Sequence, residues 1–112
     1  MGIFSYIFGK EGEDRAASWL MSRGFTIMQR NFKSRFGEID IIAKKDDILH
    51  FIEVKASTSD YEAEYRVNSQ KLRKLFRCIE FYELTHEISC DIQLDLIVVN
   101  ESSIKIIENI TL

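Results

Sequence analysis

Glu38, Asp40, Glu53 and Lys55 are the residues of this 112-residue chain whose types and spacing could do chemistry. They fall in one stretch, Gly37–Lys55, that reads as two strands and a turn. Ile39, Ile41, Ile42 and Ala43 form the first apolar run, Lys44-Lys45-Asp46-Asp47 the turn, and Ile48–Val54 the second run. Side chains alternate between the faces of a strand, so Glu38, Asp40 and Ile42 share one side. Leu49, Phe51, Glu53 and Lys55 share a side of the next strand. A hairpin closing on two or four residues predicts Asp40 across from Phe51, with Glu53 diagonal to it and Lys55 on the same face. Two carboxylates set close together repel, and burial penalises each of them. A hard divalent cation such as Mg²⁺ relieves both costs and keeps waters for chemistry. The competing reading is a solvated face of an antiparallel pair.

The elements around this hairpin have their own signals. Gly9–Arg23 predicts a helix stopped by Gly24, with Ala16, Ala17, Leu20 and Met21 as its apolar stripe. Glu13 falls between Ala16 and Ala17 on the helical wheel, which makes it a third candidate ligand for a metal or its water; a first-turn acid favoured by the helix dipole is the plainer reading. Phe25–Phe32 reads as a strand with Phe25, Ile27 and Gln29 facing one way and Thr26, Met28 and Arg30 the other. Asn31–Phe36 reads as a turn that exposes Lys33 and Arg35 along a phosphate path. Ala56–Val67, long for a connection, is a substrate loop or a slack surface loop.

A second helix capped by Asn68 or Ser69 runs to about Leu84. Leu72, Leu75, Phe76, Ile79 and Tyr82 line one side, and Gln70, Arg73, Lys74 and Arg77 the other. Ile92–Asn100 is a buried strand in which Asp95 reads as structural, and Ile104–Ile107 is the last strand. A strand reached through a helical crossover runs parallel to its predecessor. The expected fold is α/β in the order α-β-β-β-α-β-β, a mixed sheet flanked by helices.

Composition bounds the function. One domain spanning 1–112 is expected at this length. Hydrophobic residues at 46% and charged residues at 29% are ordinary for a globular protein. No apolar run approaches the length of a bilayer span, and Ile3–Phe8 has no cationic region before it, so neither a membrane partner nor a signal peptide is expected. Cys78 and Cys90 lack metal-ligand spacing and read as reduced thiols of a cytoplasmic protein. The net charge of −3 is unevenly spread. Arg15–Lys45 carries seven basic residues against Glu38 and Asp40, Arg66–Arg77 carries five against none, and the chain from Cys78 is acidic. A phosphate backbone would meet a local basic surface, not a basic protein.

A helix acid (Glu13), a strand acid (Asp40) and then Glu53-Val54-Lys55 resemble the constellation of the PD-(D/E)xK nucleases. More closely, Gly12-Glu13 with Ala16 and Leu20, Gly24-Phe25, Asn31, Gly37-Glu38-Ile39-Asp40, Phe51-Ile52-Glu53-Val54-Lys55, Lys71 and Asp95 resemble the YraN family. Those small bacterial proteins are similar to archaeal Holliday-junction resolvases. The resemblance implies a restriction-endonuclease-like fold and Mg²⁺- or Mn²⁺-dependent hydrolysis of DNA, structured or branched DNA included. It implies Asp40, Glu53, the Val54 carbonyl and Glu13 as metal ligands, Lys55 as the residue orienting the attacking water, and Glu38 behind them. Gln70 or Lys71 would reach a phosphate, and Arg73, Lys74 and Arg77 would track a backbone without reading sequence. Resolvase-like cutting would require a homodimer, for which the aromatic N-terminus (Phe4, Tyr6, Phe8) offers a contact, with core packing as its plainer role.

The chain departs from the family pattern at Ser57, where an arginine is usual, at Gln93-Leu94-Asp95, where Arg-Phe-Asp is usual, and in lacking a glycine within Ala56–Val67. Two other readings therefore stand beside the nuclease. One is a non-catalytic nucleic-acid-binding module on the same fold. The other is a structural or protein-interaction domain whose carboxylates are merely paired with Lys55.

Overall fold

A computed structural model describes residues 2–56 and 69–110, with the side chains of residues 2–9 left undescribed. The element order is α1 (Gly2–Ser22), β1 (Thr26–Ser34), β2 (Gly37–Lys45), β3 (Ile48–Ala56), α2 (Ser69–Thr85), β4 (Asp91–Val99) and β5 (Ile104–Ile107). This is the order expected from the sequence. The strands form one five-stranded sheet in the order β1-β2-β3-β4-β5; β3 and β4 are parallel and every other pair is antiparallel. The stretch 57–68, read from the sequence as a substrate loop or a slack loop, lies outside the described residues. So do Ser57 and the side chains of Phe4, Tyr6 and Phe8. Among the described residues, no helix is long and apolar enough to cross a membrane.

The helices cover opposite faces of the sheet. Ala16, Ala17 and Leu20 of α1 pack on Ile41, Ala43, Ile52, Ile97 and Val99. Leu72, Leu75, Cys78, Ile79 and Tyr82 of α2 pack on Phe32, Ile39, Ile42, Leu49, Phe51 and Leu94. Because β3 and β4 are buried on both faces, they read as continuous apolar runs instead of alternating ones. Cys78, not the half-buried Phe76, completes the inward stripe of α2.

Helix α1 begins well before Gly9, since a glycine inside a helix costs only about 1 kcal/mol and no proline interrupts the run. It ends as expected at Gly24, whose φ of 91° closes the last turn. The Phe25 N–H donates to the Leu20 carbonyl and the Gly24 N–H to the Met21 carbonyl, which satisfies two end carbonyls. Gly12 brings α1 against the sheet: a Cβ there would lie 3.2 Å from the Ala56 Cβ and 3.9 Å from the Val99 Cβ. Gly12→Val should therefore push α1 off β3 and β4 and cost about 1–3 kcal/mol, read as a lower melting temperature. An unchanged melting temperature would mean the helix shifts freely there.

The hairpin register differs from the sequence expectation. The turn is only Asp46-Asp47, at φ 51° and 61°, the left-handed pair that a two-residue hairpin turn requires. Lys45 therefore pairs with Ile48, and Phe51 lies opposite Ile42 instead of Asp40. Continued by the same count, Asp40 meets Glu53 head-on.

Candidate metal and phosphate cleft

The cleft exists because β2 and β3 part company. Their registered pairs run from Lys45–Ile48 to Ile41–Ile52 and stop there. Beyond that point the start of β2 stays paired with β1, and the end of β3 stays paired with β4 as far as Ala56–Val99. Asp40 stands at the fork, where its Oδ2 accepts the Val54 N–H at 2.8 Å in place of a backbone carbonyl. Side-chain parity also reverses here. Ile39 and Ile42 both face α2, whereas Ile41 and Ala43 face α1. On β1 the same reversal centres on Asn31, at φ 54°, between Arg30 paired with Ile41 and Phe32 paired with Ile39. Asparagine is among the few side chains that tolerate that left-handed backbone.

The resulting cleft has a volume of about 840 Å³. Helix α1 contributes Lys10, Glu13 and Asp14; β1 contributes Arg30, Asn31 and Lys33; β2 contributes Glu38 and Asp40; β3 contributes Glu53 and Val54. Five carboxylates thus face three cations. Glu53 is the most perturbed of them. Its side chain is only 14% exposed, and its carboxyl is pushed up to about 8. Burial is the largest cause, followed by the charge of Asp40 and a hydrogen bond to it, with Glu38 adding a little and Lys71 opposing. The Lys71 Nζ lies 3.9 Å from Glu53 Oε1. Glu53 consequently holds its proton near neutral pH.

The Asp40–Glu53 pair fits a hard divalent cation, which would replace that proton and accept both carboxylates. Mg²⁺ is commonly held by one or two carboxylates and its own waters. Among the described residues no three or more His, Cys, Asp or Glu side chains are gathered so that they could hold a metal ion together. Glu13 is engaged elsewhere: its Oε1 accepts Asn31 Nδ2 at 2.9 Å and Arg30 Nη2 at 3.2 Å.

Of the residues singled out in the sequence, the fold brings Glu13, Lys33, Glu38, Asp40, Glu53 and Val54 to the cleft, and Lys71 to its edge. Lys55 is exposed and is not part of the lining. Gln70, Arg73, Lys74 and Arg77 are exposed on α2, outside the lining as well. Arg35 and Arg77 approach the Phe36 ring at 5.0 and 5.8 Å, and so meet on one aromatic platform beside the β1–β2 turn.

The sequence reading missed Arg30, Asn31, Lys10 and Asp14 as cleft residues. Simple alternation places Arg30 on the face opposite Ile27. A bulge between Ile27 and Gln29 shifts the register and returns Arg30 to the α1 face. Asp95 is structural, as expected, and its missed partner is His50. Both are buried, with His50 Nδ1 2.6 Å from Asp95 Oδ2. Asp95 Oδ1 also accepts Gln93 Nε2 and the Asn109 N–H, each at 2.8 Å. Both cysteines are free thiols.

The model of the family described as "Uncharacterised protein family UPF0102" matches residues 12–99. A UPF0102 protein of Campylobacter concisus is 54% identical over 113 residues, covering all of both chains. One from Campylobacter fetus is 48% identical over 111 residues, or 99% of each chain, and one from Campylobacter hominis is 52% identical over 112 residues, the full length of both. The matched span runs from the close-packed Gly12 through the Asp40–Glu53 fork to the end of β4, so it takes in both core layers and most of the cleft. This chain belongs to the UPF0102 (YraN) family.

Proposed function

We propose that the protein is a divalent-cation-dependent endonuclease that hydrolyses phosphodiester bonds of DNA. One observation carries the reading: a half-buried carboxyl pair, Asp40 and Glu53, at the open fork of two strands, in which Glu53 holds its proton at neutral pH. Such a pair is poised to exchange the proton for Mg²⁺ or Mn²⁺. When bound, the cation supplies an activated water and polarises the phosphoryl oxygen. Asp40 and Glu53 would hold it, with the Val54 carbonyl at the same wall, and Glu38 adds negative charge behind them. Asp40 is oriented by the Val54 N–H, so its second oxygen is left for the cation. Lys55, two residues beyond Glu53, would offset charge building on the phosphate, which requires its exposed side chain to turn inward. The DNA would leave the cleft along Lys33 and Arg35 on one flank and Gln70, Lys71, Arg73, Lys74 and Arg77 on the other, held by its phosphates.

A second reading, a DNA-binding module without turnover, draws support from two placements: Lys55 outside the lining and Glu13 committed to Arg30 and Asn31. Incubating linear, flapped and branched DNA with the protein in Mg²⁺ or Mn²⁺ separates the two. The nuclease should cleave, should stop with chelator, and should lose about a hundredfold or more in rate with Asp40→Asn. DNA retention without cleavage in either metal would select the second reading. Failure to bind both metal and DNA would discard both.

A further inference from the structure

Arg30 enters the cleft through two local irregularities, the β1 bulge and the left-handed Asn31, and its guanidinium is then held from one side only. Both of its ion pairs use the same atom, Nη2, at 3.2 Å from Glu13 Oε1 and 2.6 Å from Asp14 Oδ1. Its Nε is buried with no hydrogen-bond partner among the described residues. Among the described residues Nη1 makes none of the contacts that hold the side chain, which lines the cleft and is one-third exposed. A buried donor left without an acceptor is costly, so its survival calls for a reason. Glu13 Oε1 takes the Asn31 amide as well as Arg30, which pins the guanidinium rather than leaving it to swing.

We propose that Arg30 binds a non-bridging oxygen of the phosphodiester across the cleft from Asp40 and Glu53. Glu13 and Asp14 are positioning residues that aim its guanidinium, not ligands of the cation. A planar guanidinium with unspent donors suits a phosphate oxygen, whereas a lysine offers only a point charge. Carboxylates outnumber cations around the cleft, which makes this oxyanion site weak until a cation binds at Asp40 and Glu53. Cation and phosphate should therefore bind cooperatively. This assignment rests on the nuclease reading above, and the experiment separates the two.

The test uses the full chain and a short labelled DNA duplex in Ca²⁺, followed by anisotropy over a range of salt, with calorimetric Mg²⁺ titration of the free protein alongside. Arg30→Gln should weaken duplex binding about tenfold or more and lower the salt slope by about one phosphate contact. Glu13→Gln should weaken the duplex too while leaving Mg²⁺ affinity as in wild type. Arg30→Lys, which keeps the charge beside Asp14, should fail to restore full affinity, and it carries the test should Arg30→Gln not fold. Duplex affinity and salt slope unchanged in the Arg30 variants would overturn the assignment alone. Loss of Mg²⁺ affinity in Glu13→Gln would make Glu13 a ligand and overturn its positioning role. No duplex binding by the wild type in any cation would sink the nuclease reading and this site with it.

Discussion

Glu53→Gln should make the protein more stable in neutral and alkaline solution, while removing its response to Mg²⁺. The carboxyl of Glu53 is raised from 4.5 to about 8 in the folded chain, chiefly by burial and then by Asp40. The folded state therefore holds a proton that the unfolded state has already released between those values. A raised acid contributes stability that is fully present below about pH 4.5 and is lost as pH rises through about 8. At about 1.4 kcal/mol for each tenfold difference in proton affinity, the whole interval caps the loss at about 5 kcal/mol. Glutamine has no proton to lose, so wild type and variant should diverge across that window and run parallel above it. Denaturant unfolding at a series of pH values reads this directly. Curves that stay parallel from pH 4 to 9 would show that Glu53 is not strained in the folded chain.

The same interval predicts what metal does. A divalent cation favours the ionised pair and so competes with the proton, which makes its stabilisation of the wild type grow as pH rises toward 8. Binding should release protons, seen as a calorimetric heat that changes with the ionisation enthalpy of the buffer. Chelator should abolish the gain, and Glu53→Gln should show none. Heat that is independent of the buffer would separate cation binding from this carboxyl pair.

The second large effect is expected on β4, the other neighbour of β3, where Asp95 pairs with Ile52. Asp95→Ala should cost about 3–5 kcal/mol, because it strands the buried His50 and removes two further hydrogen bonds at once. His50 Nδ1, Gln93 Nε2 and the Asn109 N–H all bond this one carboxylate, which has no exposed surface. The His50 ring is further fixed by Phe25, edge-on at 5.0 Å, so it has little freedom to find another acceptor. Asp95→Asn keeps the shape and one acceptor oxygen and should lose less. The Asn109 bond lies beside another, from the Ile110 N–H to the Leu94 carbonyl, and together they dock the residues after β5. Amide exchange at Asn109 and Ile110 should accelerate in Asp95→Ala before global unfolding does. An unfolding midpoint within about 1 kcal/mol of wild type would mean that water replaces the carboxylate, and the site would then be less sealed than its burial implies.

These effects draw on different kinds of information. The Schellman turn at Gly24, the inward stripe of α2, the apolar runs of β3 and β4 and the crossover that makes them parallel were all legible in the sequence. Each follows from periodicity or a local backbone preference acting over a few residues. So were Asp40 and Glu53 as a pair, because a hairpin turn of either two or four residues puts both acids on one face.

What the sequence could not decide is where each strand breaks its own alternation. The two-residue Asp46-Asp47 turn moved Glu53, instead of Phe51, into line with Asp40. The bulge before Gln29 and the left-handed Asn31 carried Arg30 to Glu13 and Asp14, which gave Glu13 a cationic partner inside the cleft. His50 found Asp95 across 45 positions of chain. Register, bulges and such distant pairs are chosen by the summed packing of two helices on both faces of one sheet. No short window of residues contains that sum, so the elements and the acids were written locally while the cleft was made only by the tertiary fold.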